Sequence, residues 1–187
     1  NPRLSIARWA MYALVAPQED RWAEALAGLE TIESQLRENP ATYCHEMMYL
    51  LSDIASCVAL AEQRGTPDPA PIVDVVFCRT GLRRQLRAGV QAPLWLAALR
   101  RYGRKRIVEF LAEDEEALRP SNGTQICLLS FTRGDQVEMV RELLCHPVLS
   151  IAAARALAQS AFQDQPQLLR EALDAQPRCF ADAKSPA

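Results

Sequence analysis

The sequence predicts an all-α fold of about eight helices, the C-terminal half built of stacked helix pairs. Three observations carry this. Apolar residues recur every three or four positions through most segments, the helical period. Ala and Leu dominate while β-branched and aromatic residues are sparse, which favours helix over sheet. Between residues 94 and 177, aliphatic positions recur in step. Leu96, Leu128 and Leu157 are spaced 32 and 29 apart, and Val108, Val140 and Leu169 keep the same intervals, as do Ala112, Leu144 and Leu173. A period near 30 residues marks helix pairs that bury their apolar stripes against the next pair. An irregular helical bundle with short loops gives some of the same self-similarity, so both architectures stay open.

The elements follow in order. Leu4 to Val15 reads as a first helix with Leu4, Ala7, Met11 and Leu14 on one face, widened by Trp9 and Tyr12. Gln18 to Glu38 is the clearest helix: Trp22, Leu26, Leu29, Ile32 (or Glu33) and Leu36 keep the period, with Glu24, Glu30 and Arg37 opposite. Asp20 is placed to cap it and Asn39-Pro40 to close it. Tyr43 to Arg64 is a third helix after Thr42, and Gly65 stands where a helix-ending glycine belongs. Thr66-Pro67-Asp68-Pro69-Ala70-Pro71 reads as a linker. Ile72 to Cys78 reads as a short buried helix, since no partner strand is in sight, and Leu82 to Ala88 adds a turn or two before Gly89. From Pro93 the repeated stretch begins. Turn signals lie at Tyr102-Gly103, Arg133-Gly134-Asp135 and Asp164-Gln165-Pro166. Stops lie at Arg119-Pro120, His146-Pro147 and Gln176-Pro177, because proline cannot continue a helix and pushes its predecessor out of the α region. The expected organisation is a three-helix segment (1–65), a linker (66–71), a helical-repeat segment (72–177) and a tail (178–187), in one compact domain.

Two parts of the repeated stretch resemble known repeat families. "ALRRYGRKRIVEFLA" is similar to the helix-turn-helix half of an ankyrin repeat, with small residues, a glycine turn, an Ile-Val pair and leucines. The ankyrin Thr-Pro-Leu-His signature is missing from all three units. "HPVLSIAAARALAQSAFQDQPQLLREAL" resembles a HEAT repeat, with alanine-packed helices after an exposed proline. The resemblance covers less than half of the chain. It implies a protein-binding scaffold without cofactors and carries no active-site residues with it.

At 187 residues the chain is long enough for a full core, and 49% hydrophobic content makes it globular. No run of 18 apolar residues exists to span a membrane. The first residue is Asn1, not Met, which suggests an excised domain or processed product. Cys44, Cys57, Cys78, Cys127, Cys145 and Cys179 form no Cys-x-x-Cys pair, and a chain this apolar does not need disulfide staples. The expectation is reduced, mostly buried thiols in the cytoplasm or another reducing compartment, including a host cytosol if the parent is a secreted effector. The excess of 19 Arg over 2 Lys and the Ala/Leu richness suggest a bacterial, high-GC source.

Few constellations carry chemistry. Cys44-His45 and Cys145-His146 offer zinc-type ligands, yet helical neighbours point about 100° apart, so neither doublet chelates well and each is read as a buried Cys beside a surface His. Neither doublet has an orienting partner for nucleophilic catalysis. Glu113, Asp114, Glu115 and Glu116 read as a solvated helix end, and Ser121-Asn122-Gly123-Thr124 as a turn. Trp9, Trp22 and Trp95 sit on apolar faces. No Gly-rich phosphate loop, GxSxG elbow or HExxH motif is present. No catalytic residue, metal ligand or cofactor is therefore expected.

Charge is more informative. Residues 1–78 carry 5 basic and 11 acidic residues; residues 107–187 carry 7 and 12. Between them, Arg79, Arg83, Arg84, Arg87, Arg100, Arg101, Arg104, Lys105 and Arg106 run without one acid. Three readings fit. The run neutralises acidic flanks within the fold, or binds an acidic protein partner, or binds nucleic acid or an anionic lipid headgroup. Against nucleic acid, the flanks repel phosphate, and Trp95 and Tyr102 are the run's only stacking candidates. The expected function is that of a protein–protein interaction domain, an adaptor or effector scaffold whose basic edge binds an acidic partner through Arg83, Arg84, Arg87, Arg100, Arg101, Tyr102, Arg104, Lys105 and Arg106. In the repeat reading that edge is the inter-helix turn around Gly103. A nucleic-acid- or lipid-binding helical repeat is the alternative, and an enzyme the third.

Overall fold

The computed structural model describes residues 2–15, 21–42, 45–78, 80–86, 89–117, 123–159, 166–168 and 170. The chain is all-α, and no strand occurs among the described residues. It packs as two units, Asn1–Arg101 and Tyr102–Ala187.

In the first unit α1 (Pro2–Val15) packs on α2 (Trp22–Glu38) and α3 (His45–Arg64), while α2 also meets α4 (Ala70–Cys78) and α5 (Thr80–Arg83). The apolar period sets each contact. On α2, Ala25, Leu29, Ile32 and Leu36 are buried; on α3, Met47, Leu50, Leu51, Ile54, Ala55, Val58 and Ala61 are. Each such Leu or Ile contributes about 1.5–3 kcal/mol on burial. Glu33 falls on the same inner stripe of α2 and is 1% exposed. Arg37, one turn on, donates to its carboxylate at 2.8 Å, so the buried charge is matched. α3 ends as the glycine predicts, Gly65 standing at φ 73°.

Residues 66–71 begin with a cis Thr66–Pro67 bond and run into the first turn of α4, where Asp68 Oδ1 accepts from Ala70 N at 3.0 Å. α4 is the short buried helix the apolar run predicts: Ile72, Val73, Val75, Val76 and Phe77 are all buried. Gln91, fully buried, ties the start of α6 (Ala92–Ala117) to α3 by donating to Met48 O at 3.2 Å and Ser52 Oγ at 3.3 Å. Trp95 meets Phe77 edge to face at 5.0 Å.

α6 passes from the first unit into the second. Within it Gly103 leaves the helical region, at φ 75°, ψ 167°. The sequence places a tight turn between two helices at Tyr102-Gly103, and the helical path breaks there: two helices meet at Gly103, with Arg104, Lys105 and Arg106 in the first turn of the second.

In the second unit α7 (Gly123–Leu129), α8 (Arg133–Cys145) and α9 (Ser150–Leu157) pack on one another. Cys127, Leu128, Met139, Val140, Leu143, Leu144, Ala153, Ala156 and Leu157 are buried. The turn expected at Arg133-Gly134-Asp135 is instead the first turn of α8. Thr132 caps it, accepting from Asp135 N at 3.5 Å and donating to Asp135 Oδ2 at 2.8 Å, and a good cap outweighs one glycine. Likewise Gly123 and Thr124 open α7 rather than finish a turn. Gln136 donates to Leu128 O at 2.9 Å and Phe131 O at 3.1 Å, satisfying carbonyls at the end of α7. α8 stops before His146-Pro147 as expected. The stops at Arg119-Pro120 and Gln176-Pro177 and the tail lie outside the described residues.

The cysteines correct the expectation of uniformly reduced thiols. Cys145 is exposed and disulfide-bonded, its partner lying outside the described residues. Cys57, Cys78 and Cys127 are not in disulfides, and only Cys127 of the three is buried. Spacing hid this bond because a link between segments distant in the chain leaves no local motif. No helix among the described residues is long and apolar enough to cross a membrane.

Candidate functional site

The basic run divides between the two units, and each described arginine of α6 meets carboxylates within its own. In the first unit Arg100 reaches Glu62 of α3, Nε to Oε1 at 3.2 Å and Nη2 to Oε2. Arg101 reaches Asp74 of α4, Nε to Oδ1 and Nη2 to Oδ2, both at 2.5 Å. These two-pronged contacts suit the planar guanidinium. In the second unit Arg104 donates from Nε to Glu142 of α8 at 3.2 Å and lies 3.9 Å from Glu138. Arg106 donates from Nη1 to Glu109 at 2.8 Å and Glu113 at 3.2 Å. Its guanidinium lies 4.2 Å over the Phe110 ring, which Tyr102 meets edge to face at 5.5 Å. The hydrogen bond to Glu109 first, and the charges of Glu113 and Glu109 next, hold Arg106 above the ordinary arginine value against the opposing cost of burial. Lys105 is exposed.

The remaining predicted residues differ. Arg83 is 3% exposed and donates from Nη1 to Phe77 O, so it offers no surface to a partner, and the sequence expectation for it is corrected. Its position on the inner side of short α5 puts it there, since a four-residue helix gives no periodicity from which to read a face. Arg84 is half-buried. Arg79 and Arg87 lie outside the described residues.

The acidic run also departs from its reading. Asp114 is 7% exposed, so Glu113–Glu116 is not wholly a solvated end. Of the Cys-His doublets, Cys44 lies outside the described residues, His45 is exposed, and His146 Nδ1 accepts from Val148 N at 3.3 Å. Cys145 reverses the expected buried Cys beside a surface His. Among the described residues no three His, Cys, Asp or Glu side chains gather as they would around a metal ion.

A cleft of about 730 Å³ runs along α1, lined by Leu4, Ser5, Arg8 and Trp9. Leu4 is 71% exposed and Trp9 37%, although the sequence places both on the apolar face of this helix. The signal was present: apolar residues surround α1, with Ile6 and Ala10 buried on the other side. A helix apolar all round leaves part of that surface unburied unless it is enclosed.

Compared with protein-family models, with curated proteins and with solved structures, the chain shows no match.

Proposed function

We propose that the chain is a protein-interaction module that engages acidic partners through exposed α6 cations of each unit by itself: Arg104, Lys105 and Arg106 in the second, Arg100 and Arg101 in the first. One observation supports this reading. The four arginine side chains stand 39–59% exposed and the carboxylates they meet 27–45%. Such pairs contribute about 0–1 kcal/mol each, so a partner's carboxylates exchange with them at little cost. Arginine keeps its fork for the incoming group, and the positive field steers encounter. The interleaved Glu62, Asp74, Glu109, Glu113, Glu138 and Glu142 favour an acidic protein over nucleic acid, whose continuous phosphate chain meets them repulsively.

The test compares a poly-aspartate peptide with random-sequence duplex DNA by fluorescence anisotropy at low and high salt. The expected result is tighter binding of the peptide, weakened by salt and lost in an Arg104→Gln, Lys105→Gln, Arg106→Gln variant. Glutamine is chosen over glutamate because a reversed charge would also repel Glu138 and Glu142. Tighter, more salt-sensitive DNA binding would favour the nucleic-acid reading. Binding of neither polymer would overturn both.

A further inference from the structure

We propose that the first unit holds a small-oxyanion site of the phosphate class where the last turn of α2 meets α5. A cleft of about 70 Å³ lies there, lined by Leu36, Arg37, Pro40, Gly81, Arg84 and Gln85. Water occupies about 30 Å³ per molecule in the liquid, so the space suits one tetrahedral group and little more. Two arginines and a glutamine are among its lining residues. Guanidinium donates and never accepts, and the arginine fork matches the oxygens of a phosphoryl group.

The wall is held in place from behind. Glu33, buried inside α2, accepts from Arg37 Nη2 at 2.8 Å and orients that guanidinium. Arg83, itself buried, donates to Phe77 O and anchors the turn that carries the next two residues, Arg84 and Gln85. Gln85 N donates to Leu82 O at 2.9 Å and Leu86 N to Arg83 O at 3.2 Å, which closes that turn. Gly81 lets α5 approach α2, since a Cβ there would stand 3.0 Å from Leu36 Cβ. The Glu33 contact to Arg37 and the closed turn under Arg84 and Gln85 restrict these residues before any anion arrives, which lowers the ordering cost of binding. This site is separate from the α6 cations and stands or falls independently of them.

The test follows arginine and glutamine side-chain signals by ¹H–¹⁵N NMR while inorganic phosphate is titrated, ionic strength being held with chloride. Saturable shifts at Arg37, Arg84 and Gln85 are expected, weakened by about tenfold or more in Arg84→Gln and in Arg37→Gln, as loss of a charged hydrogen bond implies. An Arg104→Gln control should bind as the unaltered chain does. A second arm titrates O-phosphoserine. Equal or tighter binding than phosphate identifies a monoester as the source, and weaker binding identifies the free anion. If an arginine variant fails to fold, the half-buried Gln85→Glu decides, its carboxylate being expected to abolish binding. Shifts that merely follow ionic strength, or saturable binding undiminished in these variants, would overturn the site.

Discussion

Arg101 and Asp74, 27 residues apart, face each other through two parallel hydrogen bonds of 2.5 Å, with side chains 39% and 38% exposed. Solvent at both ends limits what so close a pair contributes. A double-mutant cycle with Arg101→Ala and Asp74→Ala, read by urea denaturation, should give a coupling energy of at most about 1 kcal/mol, smaller at high salt. A coupling of several kcal/mol would mean the pair is a structural tie that a partner does not displace.

Trp95 is the largest of the fully buried side chains, packed edge to face on Phe77. Trp95→Ala should cost about 3–5 kcal/mol by chemical denaturation. Its indole Nε1 is buried with no hydrogen-bond partner among the described residues. Trp95→Phe removes that orphan donor along with some apolar area. An unpaired buried donor costs about 1–3 kcal/mol, so this variant should lose far less than the alanine one.

Cys127 is fully buried, and desolvation pushes its thiol well above the ordinary range. Below the unfolded value of about 8.5 the thiol is protonated in both states and its contribution to stability is complete. Above that pH the unfolded chain ionises first, and stability falls by up to about 1.4 kcal/mol per pH unit until the folded thiol also titrates. Urea denaturation at alkaline pH should therefore show a steeper decline for the unaltered chain than for Cys127→Ala.

The Cys145 disulfide predicts a labelling pattern. Denatured without reductant and treated with iodoacetamide, the chain should take up two fewer labels than after reduction, and Cys145 should be among those protected. Equal uptake would show the bond absent in solution.

Much of the helical frame was legible in the sequence. The stripes of α2 and α3 each bury four or more aliphatic residues at helical spacing, and that period survives any error of one or two residues at the ends. The short apolar run that became α4 was legible because nothing nearby could pair with it as a strand. Turns were less so. Gly134 looked like a breaker until Thr132 supplied a cap, a competition between local effects that a single residue type does not reveal. At the candidate site, the sequence showed the absence of acids between residues 79 and 106 but not where the matching carboxylates stand. Glu62, Asp74 and Glu142 come to Arg100, Arg101 and Arg104 through packing of other helices. Arg83 was misplaced for the same reason: its face is set by contacts around α5, not by its own four residues.

Gly103 gives a last consequence, for how this chain tolerates variation. Its φ of 75° and ψ of 167° lie where side-chain-bearing residues scarcely go, at a cost of roughly 1–3 kcal/mol, yet a Cβ there would touch nothing within 4 Å. In a saturation library selected for folded protein, position 103 should keep one letter while exposed Lys105, two places on, accepts many. An alignment-free survey of contacts would rank the glycine as dispensable, and the library would rank it among the most constrained positions of α6.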